Sequence, residues 1–143
     1  SNYEEMLAFL LHSLLIIFSR DIKKDRVLTN EFIDSQMNAA VSYFNLNYNQ
    51  SISISQYAAS KGMSISYFIS NFKKYTQKTP VQFLSDLRLT NAQVLLETTD
   101  YSINEIARIV GYDNALYFSR LFHNQKGCSP SQYRNQSKLH NNN

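Results

Sequence analysis

The sequence predicts an all-α fold: two helix-turn-helix subdomains joined by a long linker helix, a homeodomain-like pair, with an extra helix at the N-terminus. Three observations predict it. Three glycines and two prolines among 143 residues are too few for a chain of strands and tight turns. Apolar residues recur at three- and four-residue spacing, the period of a helix buried along one face. The scarce glycines and prolines also fall on an internal repeat.

From the N-terminus, "MLAFLLHSLLIIF" (6–18) is the longest apolar run. It is shorter than the roughly 17–25 residues that cross a bilayer, and His12 and Ser13 interrupt it. Leu7, Leu11, Leu14 and Phe18 step 4-3-4 along one helix face. Residues 1–20 therefore read as a separate helix. Tyr3-Glu4-Glu5 has the wrong sign for the start of a secretory signal. The charged "SRDIKKDRV" (19–27) reads as a linker, placed at 21–31. A helix then starts from a cap at Thr29 or Asn30 and buries Ile33, Met37, Ala40, Val41 and Phe44. "NLNYNQSIS" (45–53) is a polar connector.

The repeat follows. "ISQYAASKGM" (54–63) lies over "INEIARIVGY" (103–112) at an offset of 49, with Ala58 on Ala107 and Gly62 on Gly111. One residue is then added, and "YFISNF" (67–72) lies over "YFSRLF" (117–122) at an offset of 50. "TPVQF" (79–83) matches "SPSQY" (129–133) in the same register. In each copy a short helix buries one face: Ile54, Tyr57 and Ala58, or Ile103, Ile106, Ala107 and Val110. Gly62 or Gly111 ends that helix, where a left-handed residue is cheapest as glycine. A capping residue, Ser64 or Asp113, opens the next helix, which buries Phe68 and Phe72, or Phe118 and Phe122. The predicted helix-turn-helix units span 54–74 and 103–124.

Between them a linker helix over 80–97 starts at Pro80, whose missing amide costs nothing in a first turn. Phe83, Leu87, Ala92, Leu95 and Leu96 form its apolar stripe. Its length is about 27 Å, of the order of the roughly 34 Å between successive major-groove faces on one side of B-DNA. The tail at 135–143, ending "SKLHNNN", is expected to be disordered.

Composition narrows the function. Residues 1–53 carry four basic and six acidic side chains, and residues 54–143 carry ten basic and five acidic. The basic C-terminal part raises nucleic acid as a partner. Cys128 is alone, so neither a disulfide framework nor a CxxC knuckle exists, which fits a reducing, cytoplasmic compartment. His12, His123 and His140 lack ligand spacing, and no metal site, cofactor site or catalytic group is expected. The tyrosines and phenylalanines at helical spacing read as core, since an RNA-stacking platform needs strands.

The stretch 54–134 resembles the C-terminal DNA-binding domain of the arabinose-regulator (AraC/XylS) family of bacterial transcription regulators. The resemblance rests on "SINEIARIVGYDNALYFSRLFHNQKGCSPSQYR" (102–134) and on "FLSDLRLTNAQVLLETTDYSI" (83–103), which includes Arg88 and Ala92. With the helix at 32–44 it covers roughly 100 residues, giving an expected domain of 32–134. It implies a seven-helix fold and, in many members, a fused sensor domain; residues 1–20 then look like that sensor's last helix. This sequence departs from the family at Ser70, usually arginine, and at Gln77, often glycine. Cys128 stands where the family often has a small apolar residue, and is expected to be buried.

The helical wheel and the resemblance agree on the outward residues. In the second reading helix these are Leu116, Ser119, Arg120 and His123, with Ala115 before them; in the first they are Ser66, Ile69, Ser70 and Lys73. Arg120 can fork onto guanine O6 and N7, while Ala115, Leu116 and Ile69 can contact thymine methyls. Lys73, Lys74, Asn114 and Asn124 suit phosphate or sugar. Arg88 can make an internal salt bridge or a phosphate contact. The expected function is a sequence-specific DNA-binding transcription regulator, an activator, that inserts two recognition helices into double-stranded DNA. Its expected partners are promoter or operator DNA, RNA polymerase, and a second copy through the missing sensor and helix 3–20, with no membrane. Two alternatives are the DNA-binding end of a fused DNA-repair, alkyl-transfer regulator and a protein-interaction helical module.

Overall fold

A computed structural model describes residues 2–141, and all regular elements among them are helices: α1 (Asn2–Asn47), α2 (Ile54–Ser60), α3 (Ile65–Thr76), α4 (Pro80–Thr98), α5 (Ile103–Ile109), α6 (Ala115–Lys126) and α7 (Pro130–Asn141). Two compact units divide inside α1, between Ala39 and Ala40. Ser1, Asn142 and Asn143 lie outside the described residues.

The first unit is a single helix. The expected linker at 21–31 is helical and continuous with what precedes and follows it. The expected cap does not form: the Thr29 hydroxyl donates back to the Asp25 carbonyl at 2.8 Å, as a threonine inside a helix does. The charged run lacks glycine and proline, and Arg and Lys are good helix formers, so charge alone does not break the helix. The apolar residues at 6–18 are exposed on nearly every face. Phe9, Leu10, Leu15 and Ile17 are as open as the expected Leu7, Leu11, Leu14 and Phe18.

The second unit has two aromatic cores that share α4. In the first, the Phe44 ring meets those of Tyr57, Phe68, Phe72 and Phe83 at centroid distances of 5.5, 6.4, 5.4 and 6.3 Å. In the second, Phe118, Phe122 and Tyr112 pack with Leu89, Ala92, Leu96, Ile106, Ala107 and Val110. The matched alanines, Ala58 and Ala107, are fully buried, so the paired helices approach closely.

Because α4 meets both cores, its apolar surface wraps around it. Leu84 and Leu89, absent from the expected stripe, are buried with Ala92 and Leu96, while Phe83, Leu87 and Leu95 are half-buried. A one-sided periodicity argument misses a helix buried on more than one side. The tail also differs from expectation, since α7 continues to Asn141. Arg134 Nε donates to the Leu96 carbonyl, and Lys138 pairs with Asp100 at 2.9 Å. That ammonium holds the Asp100 carboxyl below its ordinary pKa, first by its hydrogen bond and then by its charge.

Candidate nucleic-acid interface

Each reading helix is set by a turn and a cap. Gly62 and Gly111 have φ of +70° and +102°, which places glycine after α2 and α5. Ser64 caps α3, accepting from the Tyr67 amide at 3.2 Å. The cap of α6 is Asn114, whose side-chain oxygen accepts from the Tyr117 amide at 2.9 Å; Asp113 is exposed and is not the cap. The signal was in the repeat, since Ser64 plus the offset of 50 lands on Asn114. Asn114, expected to touch phosphate or sugar, thus has its oxygen committed to the helix.

Phe68 and Phe72, and Phe118 and Phe122, are fully buried, which turns the opposite faces outward. On α3, Ser66, Ser70, Lys73 and Lys74 are exposed, but Ile69 is half-buried. On α6, Leu116, Arg120, His123 and Asn124 are exposed, while Ala115 and Ser119 are half-buried. Ser119, Arg120, His123 and Asn124 line one shallow concavity with Ser129. Ile69 and Ser119 are matched at the repeat offset, one residue after each buried phenylalanine. That position sits at the edge of the buried face in both helices.

Neither reading helix carries an acidic residue, and both end in basic ones: Lys73 and Lys74 on α3, His123 and Lys126 on α6. Within the described residues, Lys73, Lys74 and Arg120 have no ion-pair partner. Their charge is available to an outside anion.

Among the described residues Arg88 makes no salt bridge; backbone carbonyls hold it instead. Its Nε donates to the Tyr48 carbonyl at 2.6 Å and another guanidinium nitrogen donates to that of Gln50 at 2.8 Å. The same guanidinium lies 5.2 Å from the Tyr112 ring centroid. A Cβ on Gly111 would stand 2.9 Å from the Tyr48 oxygen and 3.1 Å from Arg88 Nε. Gly111 therefore needs to be glycine for contact as well as for dihedral angle, whereas a Cβ on Gly62 meets nothing within 4 Å. Cys128 is half-buried rather than buried.

Two helix-turn-helix units with acid-free, basic-ended second helices define a double helix-turn-helix DNA-binding domain. A helix-turn-helix domain family model matches residues 57–136. The raffinose operon transcriptional regulatory protein of Pediococcus pentosaceus is 34% identical over 125 residues, covering 87% of this chain and 44% of that protein. The lactose operon transcription activator of Staphylococcus xylosus is 28% identical, covering 92% of this chain and 47% of that protein. Among solved structures, the DNA-binding domain of the global transcriptional factor AdpA, in complex with a target DNA, is 30% identical with a TM-score of 0.69. It covers 73% of this chain and 94% of that one. The chain belongs to the arabinose-regulator (AraC/XylS) family of DNA-binding transcription regulators. It spans less than half the length of the two operon regulators.

Proposed function

We propose that this chain is the DNA-binding end of a transcription activator and seats α3 and α6 in successive major-groove faces of one duplex. The observation that carries this reading is the pairing of two like-turned, acid-free reading helices on either side of α4. The 19 residues of α4 make a rod of about 28 Å, close to one turn of B-DNA. Arg120 is the principal base reader, since its fork matches guanine O6 and N7. Leu116 and Ala115 offer apolar contact to thymine methyls, and His123 and Ser119 lie beside them. On α3 the exposed Ser66 and Ser70 are short and Ile69 is half-buried, so that helix supplies mainly backbone affinity through Lys73 and Lys74, with a weaker base preference from Ile69 on thymine methyls. Asn124 and the free amide of Asn114 suit phosphate or sugar.

A second copy joins through α1, where Leu7, Leu11, Leu14 and Phe18 are 53–67% exposed. A helix apolar on nearly all faces belongs inside a larger core, so the rest of a longer protein covers what the partner does not. Among the described residues no helix is long and apolar enough to cross a membrane. RNA polymerase is the further partner an activator requires, a role supported by the name of the Staphylococcus xylosus relative.

The test is a salt titration of binding to duplexes selected from a random library. With roughly 6–10 phosphate contacts, affinity falls by about 10³–10⁵ between 50 and 200 mM salt. A flat response refutes the reading.

A further inference from the structure

Two sets of contacts on α4 link the segments that flank the first helix-turn-helix unit to the second unit. Asp86 takes Lys78 Nζ, from the loop between α3 and α4, and also the side-chain amide of Gln125, in the last turn of α6. Arg88 holds the connector carbonyls of Tyr48 and Gln50 while lying against Tyr112 in the turn before α6. Two residues along a helix are about 200° apart around its axis, so the two sets flank α4 on opposite sides. A bare rod bends either way about its middle; a rod braced on both sides does not.

We propose that Asp86 is a positioning residue which, with Gln125 and Lys78, fixes the spacing between the two reading helices. This rests on the proposed seating of both helices in DNA. The first helix then binds at an effective concentration set by the stiffness of the connection. Loosening the brace lowers affinity for a correctly spaced site and relaxes the demand on spacing. Single-segment affinity stays the same apart from any change in net charge. Asp86 and Gln125 have no place on the outward stripes: Gln125 lies about 180° from Leu116 around α6. The Lys78–Asp86 pair is partly open to solvent, with side chains 51% and 31% exposed, and surface pairs add little to stability, so its loss leaves the fold intact.

Asp86→Ala and Gln125→Ala are compared with wild type in the full chain, using a duplex selected from a random library. Derivatives have the segment under α3 scrambled or removed, or one base pair added or removed between the two segments. The scrambled duplex also reports the charge change of Asp86→Ala, which Gln125→Ala avoids. For wild type we expect scrambling to weaken binding and a spacing error to cost about tenfold or more. Both variants are expected to bind the intact duplex about three- to tenfold more weakly than wild type, relative to the scrambled one, and to tolerate the spacing error within about threefold. Variants that keep the wild-type spacing profile overturn the brace alone. A wild type indifferent to removal of the duplex under α3 overturns the two-helix reading and the brace with it.

Discussion

Replacing Gly111 and Gly62 by alanine separates two reasons for glycine at equivalent turns. Both residues have positive φ, which costs an L-residue about 1–2 kcal/mol. Only Gly111 faces a neighbour: its added Cβ would sit 2.9 Å from the Tyr48 carbonyl and 3.1 Å from Arg88 Nε. Relieving that clash moves the guanidinium off its 2.6 Å bond to Tyr48, and hydrogen bonds from charged groups contribute about 1.5–3 kcal/mol each. Gly62→Ala is therefore expected to cost about 1–2 kcal/mol and Gly111→Ala at least about 1.5 kcal/mol more. For a unit of this size that difference lowers the melting temperature by a further ~6–12 °C. Urea titration of both variants measures it. A cycle with Arg88→Ala should show the Gly111 cost shrinking once the guanidinium is gone. Equal losses at Gly62 and Gly111 would refute the claim that the second turn is locked against the connector.

Other positions give independent checks. Gln77 holds φ of +67° where Gly127, its repeat partner, holds +79°; Gln77→Gly should stabilise by about 0.5–1 kcal/mol and Gly127→Gln should destabilise, read from urea midpoints. Glu105 accepts from the Ser102 amide in the capping box of α5, and this bond, followed by that to the Ser102 side chain, lowers its pKa from the ordinary 4.5. A lowered folded pKa means stability present above the unfolded value and lost as pH falls through the folded one. Glu105→Gln keeps the cap and should flatten the acid limb of a stability-versus-pH curve; an unchanged limb counts against the assignment. Leu11→Glu with Leu14→Glu should reduce association of the chain in sedimentation at fixed concentration, and an unchanged mass would remove α1 as a dimerisation element. Arg120→Ala should cost about 1–3 kcal/mol of binding and relax preference at one guanine, while Lys73→Ala weakens all sequences alike and lowers the salt slope by about 1. Ser70→Arg should add a base preference under α3, seen in a base-pair scan of the duplex.

Both helix-turn-helix units were legible because their punctuation is scarce and repeated. Gly62 and Gly111, Pro80 and Pro130, and the paired phenylalanines mark the same places in both copies, and each marks a physical need. What escaped was tertiary. Nothing local tells a charged helix from a charged linker when no breaker is present, so α1 read as two helices. Leu84 and Leu89 lie off the stripe expected for α4 because that helix serves two cores. Arg88 pairs with carbonyls 40 and 38 residues away in sequence, which no residue pattern announces. The Asn114 cap was available from the repeat register, but neighbouring Asp113 has the same chemistry. Among the outward residues, Arg120, His123, Lys73 and Ser70 are open. Ile69 and Ser119 lie at the edge of the core, beyond the angular resolution of a helical wheel.

Both α3 and α6 are proposed to enter the major groove of one duplex, one turn apart. Guanine N7 lies in the major groove, so methylation interference on a duplex selected by this chain tests the claim most directly. Interference is expected in two patches about 10 base pairs apart on one face of the duplex, with Arg120→Ala removing the strongest signal from the patch under α6. A single patch, or two unaffected by the loss of Arg120, would contradict it.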